Sequence, residues 1–391
     1  MDTFFVEVVK LKTIVKKIYI YGAGLYGQNI FKILKKNKIE VDGFIVTART
    51  NETTVLGVPV YEAKEVLDEN IGIIIGVNRH NVMAVRKVLN DAKFDANKIV
   101  WGNEYIDKNG VRGGYDEIPT LEITTRIGCS VNCKYCPQSL LLEQYYKNNS
   151  KREKVMNLDT FSKCLEKLPK ECTILFSGMS EPFLNPECGK MLKLACDSGR
   201  KVDLYTTLVG TTKEDIELIA ELPIGFIGLH VADKRKYANI PVSEEYYNKV
   251  LYLVNRKKEN GAPLINVCNA QTEPDERIAQ ICEGKYDILT TMLDRAGNLK
   301  NEELFSKQCL KGKISCSLCG DKLNHNILLP DGTVLLCCMD YGMKHVLGNL
   351  LETSYEEITQ GSPIGMIKQG LMGDESRDIL CRNCSCANVC V

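Results

Sequence analysis

The chain has 391 residues, enough for two or three domains at roughly 100 to 200 residues each, which excludes a single small module. Hydrophobic residues make up 44% and charged residues 26%, the profile of a soluble globular protein and not of a disordered or fibrous one. Fifty Lys plus Arg balance fifty Asp plus Glu, so there is no long-range field to collect nucleic acid or an anionic membrane surface.

The N-terminal stretch Met1 to Lys17 lacks the charge, apolar run and small-residue cleavage site of a signal peptide. No segment approaches the roughly 18 consecutive apolar residues of a membrane span. The expected location is therefore the cytoplasm. An apolar strand, Lys17 to Tyr21, runs into Gly22-Ala23-Gly24-Leu25-Tyr26-Gly27, and Ile30, Ile33 and Leu34 follow at helical spacing. Val41 to Val46 reads as a second strand, Ala63 to Leu67 as a short helix, Gly72 to Val77 as a buried strand and Val82 to Leu89 as another helix. This cadence predicts an α/β domain of Rossmann-like, doubly wound type over residues 1–112.

Residues 102–119, rich in Gly, Asn and Asp without apolar periodicity, read as a linker. A second cadence then places strands at Leu121 to Thr125, Thr173 to Ser177, Lys201 to Thr206, Gly225 to His230, Leu264 to Val267 and Tyr286 to Thr291. Helices are expected between them at Asp159 to Leu168, Glu187 to Ser198, Thr212 to Leu222 and Glu244 to Asn260. Six such units fall short of a closed eight-fold barrel, so residues 113–300 are expected to form a partial (β/α)6 barrel of TIM type, with active residues just after the strands. From residue 301 to 391 the chain changes to short strands around Leu328 to Leu336, a helix near Ser354 to Gln360 and clustered cysteines. So small a cysteine-rich domain needs a metal to hold its fold.

Eighteen cysteines in a chain without a secretory signal point to metal or redox chemistry instead of structural disulfides. With only four histidines (His80, His230, His325 and His345), any such site is thiolate. Cys129, Cys133 and Cys136 form a C-x3-C-x2-C run directly after the first strand of the second domain. Three thiolates on one loop can hold three irons of a four-iron cluster and leave the fourth iron open to a small molecule. A structural zinc ion is the rival, although zinc prefers four ligands in paired C-x2-C units.

This run resembles the cluster-binding motif of the radical S-adenosylmethionine (SAM) superfamily. The resemblance implies a 4Fe–4S cluster whose open iron chelates the amino and carboxylate groups of SAM, with Tyr135 near the adenine. Ser177-Gly178-Met179-Ser180-Glu181-Pro182, after the second strand, is similar to the family's Gly-Gly-Glu-Pro signature. Met179 and Ser180 interrupt its first half, and the likeness implies that Gly178 and Glu181 face SAM, the carboxylate accepting from its ammonium. Thr206 and Thr207 after the third strand and His230 after the fourth occupy positions that contact SAM or substrate in related enzymes. A hydrogen-bonded strand-end histidine is the plain alternative for His230.

The tail holds eight cysteines: Cys316, Cys319, Cys337, Cys338, Cys381, Cys384, Cys386 and Cys390. Gly332-x4-Cys337 and Cys381-x2-Cys384, with Asp331-Gly332 and Gly348-Asn349-Leu350, resemble the SPASM or twitch extension of radical SAM enzymes. The likeness implies one auxiliary 4Fe–4S cluster on Cys319, Cys337, Cys381 and Cys384, with Cys316, Cys386 and Cys390 as alternates. Zinc on the paired C-x2-C units is the rival here too. Cys337 and Cys338 are neighbours on a strand, so their side chains point to opposite faces and only one ligates. Cys164, Cys172, Cys188, Cys196, Cys268, Cys282 and Cys309 are scattered and read mostly as core.

Gly22, Gly24 and Gly27 match a dinucleotide fingerprint in the right strand-to-helix context. Where a ribose-binding acid should end the second strand, Val46-Thr47-Ala48-Arg49 stands, which argues against NAD. The segment resembles Rossmann-like domains that accompany sugar-modifying enzymes, where a nucleotide or nucleotide-sugar binds; an empty docking domain is the alternative. The family likeness implies an enzyme that cleaves SAM to a 5′-deoxyadenosyl radical and abstracts hydrogen, most simply as an oxidoreductase acting on a sugar or nucleotide-sugar. Alternatives are a peptide or protein side-chain modifying enzyme, and a non-enzymatic iron–sulfur electron carrier or zinc-thiolate regulator. A small-molecule or peptide substrate and a flavodoxin- or ferredoxin-type electron donor are the expected partners, without nucleic acid or membrane.

Overall fold

The computed structural model describes residues 3–47, 53–67, 70–77, 79–102, 105, 118–147, 152–258, 261–283, 288–290, 294–299, 309–316, 318–320 and 322–389. They fall into two compact units, Met1–Glu117 and Ile118–Val391. Much of the expected linker at 102–119, and Ala48, Arg49 and Cys390, lie outside the described residues. No helix of the described residues is long and apolar enough to cross a membrane.

The first unit is built on a six-stranded sheet of β1 (Lys17–Tyr21), β2 (Gly43–Val46), β3 (Thr54–Val55), β4 (Val58–Glu62), β5 (Ile71–Ile75) and β6 (Ile99–Val100). Its order is β3-β4-β2-β1-β5-β6, parallel except for the β3–β4 pair. Successive side chains of β1 serve two cores. Ile18 and Ile20 pack with Phe4, Val8, Leu11, Ile30 and Leu34 from helices Thr3–Ile14 and Leu25–Lys36. Tyr19 and Tyr21 pack with Ile45, Ile73, Val85 and Leu89 on the other face, against helix Arg79–Asp91. Burial on both faces is why the strands are continuous apolar runs and why the sheet is parallel. The strand order reverses at β1, so the Gly22–Gly27 turn lies at the switch point where open α/β sheets bind ligands. Helix Thr3–Ile14 has only weak amphipathic patterning and was not expected from the sequence.

In the second unit β7 (Thr120–Ile123), β8 (Thr173–Phe176), β9 (Val202–Thr206), β10 (Phe226–His230), β11 (Val267–Ala270) and β12 (Ile288–Thr290) pair in sequence order, all parallel. This is the expected six-stranded partial barrel. The tail adds β13 (Ile314–Cys316), β14 (His325–Leu328), β15 (Thr333–Leu335), β16 (Val346–Asn349) and β17 (Ala387–Val389). Strand β14 pairs in parallel with the outer edge of β7, and β15 and β16 continue antiparallel, giving one nine-stranded sheet. Barrel and tail, expected as separate domains at 113–300 and 301–391, therefore share a sheet and a compact unit. Too small to bury a core alone, the tail extends the barrel's core instead.

The fifth barrel strand lies three residues beyond the expected Leu264 to Val267. Leu264 and Ile265 are buried outside it, while the polar Asn269 pairs in register with His230 and hides the strand from a search for apolar runs. Helix Glu244–Val254 ends six residues early at its Asn255 cap, beyond which the Lys-rich segment has no apolar face to bury. Helices Gln138–Tyr146, Glu276–Cys282 and Ser362–Leu371 were not expected. Of the scattered cysteines, Cys164, Cys172, Cys188, Cys268 and Cys282 are buried core and Cys196 is half-buried, but Cys309 is exposed.

A methyl group at Gly27 would lie 1.7 Å from the Gly22 carbonyl oxygen, whereas one at Gly24 would meet nothing within 4 Å. Gly27→Ala should therefore cost the first unit more than about 2 kcal/mol. Gly24→Ala should cost at most about 1 kcal/mol, the usual loss at an N-cap. Urea unfolding followed by the fluorescence of Trp101, the single tryptophan, measures both, and equal effects would refute the packing account.

Candidate functional site

The chain leaves β7 into Thr124 and Thr125, both fully buried. The Thr124 hydroxyl accepts from the Met179 amide at 3.0 Å, and the Thr125 hydroxyl donates to the Pro182 carbonyl at 2.8 Å, so the loops after β7 and β8 are tied before the first cysteine. Gly128 at φ +87° and Asn132 at φ +43° turn the loop. The Lys134 amide donates to the Tyr237 carbonyl at 2.8 Å and the Asn239 amide to the Val131 carbonyl at 2.6 Å, which anchors it beneath the loop after β10. Tyr135 is buried, its ring 5.4 Å from that of Tyr237.

Cys129, Cys133 and Cys136 are each partly exposed on this loop. Burial, joined by the charges of its two neighbours, pushes the Cys133 thiol up to about 12, and burial raises Cys129 likewise. Donors already face the sulfurs: the Glu181 amide reaches Cys129 Sγ at 3.4 Å and the Gln138 side-chain amide reaches Cys136 Sγ at 3.4 Å. Cys136 Sγ also lies 3.4 Å from the Tyr341 hydroxyl. Gln138 in addition donates to the Met179 carbonyl.

Gly178 has φ +67°, and a methyl group there would sit 2.4 Å from Thr124 Oγ1, so close approach of the two loops demands glycine. Glu181 is buried, and its carboxylate accepts from the Thr206 hydroxyl at 2.6 Å, the Thr207 amide at 2.6 Å and the Thr207 hydroxyl at 2.7 Å. Burial nevertheless outweighs these donors and raises its pKa. Thr207, expected to touch ligand, thus first orients Glu181. Half-buried His230, edge-on to Tyr205 at 5.7 Å, is pushed down to about 4 by burial and by the charge of Arg295, and is neutral at pH 7.

Two groups escaped the sequence reading. Glu122 on β7 is buried, accepts from the Gly178 amide at 2.9 Å and stands 3.3 Å from His325 Nε2 on β14. Burial would raise its carboxyl, but His325, Ser177 and the Gly178 amide outweigh that and hold it low. Arg295, after β12, lies 5.6 Å above the Tyr341 ring. A buried acid inside a strand, or an arginine in a turn, carries no signal until the fold closes round it.

In the tail, Cys316, Cys319, Cys337, Cys381, Cys384 and Cys386 line one recess whose other walls are leucine, methionine and alanine side chains. The antiparallel β13–β17 ribbon, with Cys316 opposite Ala387, draws the two cysteine clusters together. Amides again face sulfur, Cys319 N to Cys316 Sγ at 3.2 Å and Cys386 N to Cys384 Sγ at 3.4 Å. A hydrogen bond shared with Cys319 lowers the Cys316 thiol and raises its partner. Cys338 does not line this recess; it packs both against the core that holds Cys337 and against the cluster that holds Ile127 and Tyr341, and the expected strand pair is instead a turn, since β15 ends at Leu335. Both cysteine sets offer soft sulfur donors with N–H groups aimed at them, a setting that fits iron–sulfur clusters.

Residues 123–283 match the family model of the Radical SAM superfamily, and residues 319–385 that of the iron-sulfur cluster-binding domain SPASM. No curated protein matches the chain. Among solved structures, BtrN in complex with AdoMet and 2-DOIA is 18% identical over 68% of this chain and 93% of its own, with a TM-score of 0.45. Streptococcus suis SuiB bound to its precursor peptide SuiA is 12% identical over 92% of this chain and 82% of its own, with a TM-score of 0.47. Native anSMEcpe with bound AdoMet is 15% identical over 68% and 86%, with a TM-score of 0.37. The tail match favours an auxiliary iron–sulfur cluster over the zinc alternative.

Because the Glu122 carboxyl is held low in the folded chain, its stabilisation is complete above the unfolded value of about 4.3 and fades as pH falls through the lower folded value. Glu122→Gln should cost about 2–3 kcal/mol at pH 7, as a hydrogen-bonded buried charge does. Urea midpoints should show that difference narrowing below pH about 4. A gap that stays constant with pH would refute the assignment.

Proposed function

We propose that this chain, a member of the radical SAM superfamily with a SPASM-type cluster-binding domain at residues 319–385, cleaves SAM reductively and removes hydrogen from a sugar or nucleotide-sugar in a net oxidation or rearrangement. When bound, the 4Fe–4S cluster and SAM supply a 5′-deoxyadenosyl radical, and a reduced flavodoxin- or ferredoxin-type protein is the natural electron source. The observation that carries the reading is the meeting of Cys129, Cys133 and Cys136 with the Glu181 loop through the Glu181 amide at the mouth of the barrel.

Cys129, Cys133 and Cys136 are the proposed cluster ligands. Glu181 is assigned to the SAM ammonium: its carboxylate has about four lone-pair sites, held in orientation by the Thr206 hydroxyl, the Thr207 amide and hydroxyl and the Phe183 amide at 3.4 Å, so a bound ammonium would displace or share one of these donors. Tyr135 and Gly178 are assigned to the walls of the same pocket. Neutral His230 is suited to a hydrogen bond with SAM or substrate and not to holding an anion. Cys319, Cys337, Cys381 and Cys384 are the proposed auxiliary ligands, all within the matched span, which leaves Cys316 and Cys386 outside.

The sugar or nucleotide-sugar reading rests on the Gly22–Gly27 turn. Gly22 and Gly27 are required by their contacts with Gly76 and with each other, so only Gly24 is free to face a phosphate. That packing explanation is what favours the second reading, a peptide or protein side-chain substrate.

After anaerobic reconstitution, the full chain given SAM and dithionite should form 5′-deoxyadenosine and methionine, and Cys133→Ala should form neither. Cys133→Ala and Cys337→Ala should each bind about four irons fewer than the parent, while Cys338→Ala keeps them all. A cluster-replete parent that leaves SAM intact would sink the reading. For the substrate, calorimetry with UDP-glucose should show binding that Gly24→Val abolishes; no binding to the parent favours the peptide reading.

A further inference from the structure

Arg295 and Ala296 have φ of +52° and +54°, two successive non-glycine residues in the left-handed region, each costing about 1 kcal/mol or more. The turn is held by Asp294, buried, whose Oδ1 accepts from the Ala296 amide at 3.0 Å and from the Ser385 hydroxyl at 2.7 Å. The turn sets the half-buried Arg295 with its guanidinium 5.6 Å from the Tyr341 ring, whose hydroxyl lies 3.4 Å from Cys136 Sγ on the first cysteine loop. The guanidinium charge acts on Cys133, Cys136, Cys338, His230 and Glu122. Arg295 Nε is enclosed and has no hydrogen-bond partner among the described residues.

The neighbouring groups that would ordinarily satisfy a guanidinium are otherwise engaged. Glu122 already takes the Gly178 amide and faces His325. Cys136 Sγ is met by Gln138 and Tyr341, and Cys129 Sγ by the Glu181 amide. Neutral His230 competes for no anion. A guanidinium keeps its charge at any relevant pH and presents a planar fork matched to an oxyanion.

We propose that Arg295 binds a carboxylate or phosphate group of the substrate, beside SAM at the mouth of the barrel. The inference rests on the radical SAM reading and deepens it: the substrate is an anion whose charged group lies near the carbon that loses hydrogen.

The test uses the cluster-replete full chain, saturated with SAM so that the carboxylate of SAM occupies its own site. Inorganic phosphate and, separately, acetate are titrated while the electron paramagnetic resonance signal of the reduced cluster is followed. Saturable perturbation is expected, stronger for phosphate if the substrate is phosphorylated and for acetate if it is a carboxylate. Arg295→Gln should weaken it at least about tenfold, and Arg295→Lys should fall between, keeping charge but not the fork. Should the Gln variant fail to take up iron, the Lys variant carries the test and must bind several-fold more weakly than the parent. Wild-type affinity in either variant, no anion effect in the parent, or an effect seen only without SAM overturns the proposal. 5′-Deoxyadenosine formation by the parent is scored separately: its absence defeats the radical SAM reading, whereas its presence beside an anion-blind parent defeats the Arg295 site alone.

Discussion

The second unit depends on one buried carboxylate. Glu122 projects from β7, the strand that pairs with β8 on one side and with β14 of the tail on the other. By accepting from the Gly178 amide it fixes the Glu181 loop, and by facing His325 it joins the barrel to the cysteine-rich tail. A charge this deep persists only when fully partnered, since an unpaired carboxylate in low dielectric costs several kcal/mol. The constraint therefore runs outward. With Glu122 satisfied, Thr124 meets the Met179 amide and the two site loops close on each other.

The two cysteine sites are joined by small devices. Cys337 and Cys338 are adjacent, one lining the tail recess and the other packed against the cluster that contains Tyr341 and Ile127. The Asp294 turn does similar work, bonding Ser385 between the tail cysteines while its neighbour Arg295 reaches Tyr341. These contacts add to the β7–β14 pairing by which the tail joins the barrel sheet.

In the first unit the same motif serves two masters. Two of its three glycines are demanded by backbone contact, since a methyl group would lie 2.5 Å from the Gly76 carbonyl oxygen at Gly22 and 1.7 Å from the Gly22 carbonyl oxygen at Gly27, ligand or no ligand. The fingerprint therefore speaks strongly for the strand–turn–helix and weakly for what binds there. Function lives in the site grafted onto the fold.

Much was legible in the sequence because it is local. The spacing of Cys129, Cys133 and Cys136, the six-unit strand cadence and the tail's cysteine clusters are properties of short segments, and they led to the radical SAM reading and the partial barrel. The strand argument for Cys337 and Cys338 does not carry over, because β15 ends at Leu335 and both cysteines lie in the turn beyond it. What only the tertiary structure decided is non-local: that the tail shares the barrel's sheet, that Asn269 belongs to a strand, that six cysteines converge on one recess, that Glu122 is interior and that Arg295 meets Tyr341. Polar residues at such positions look like surface residues along the chain. Their meaning comes from partners tens to hundreds of residues away, which no periodicity records.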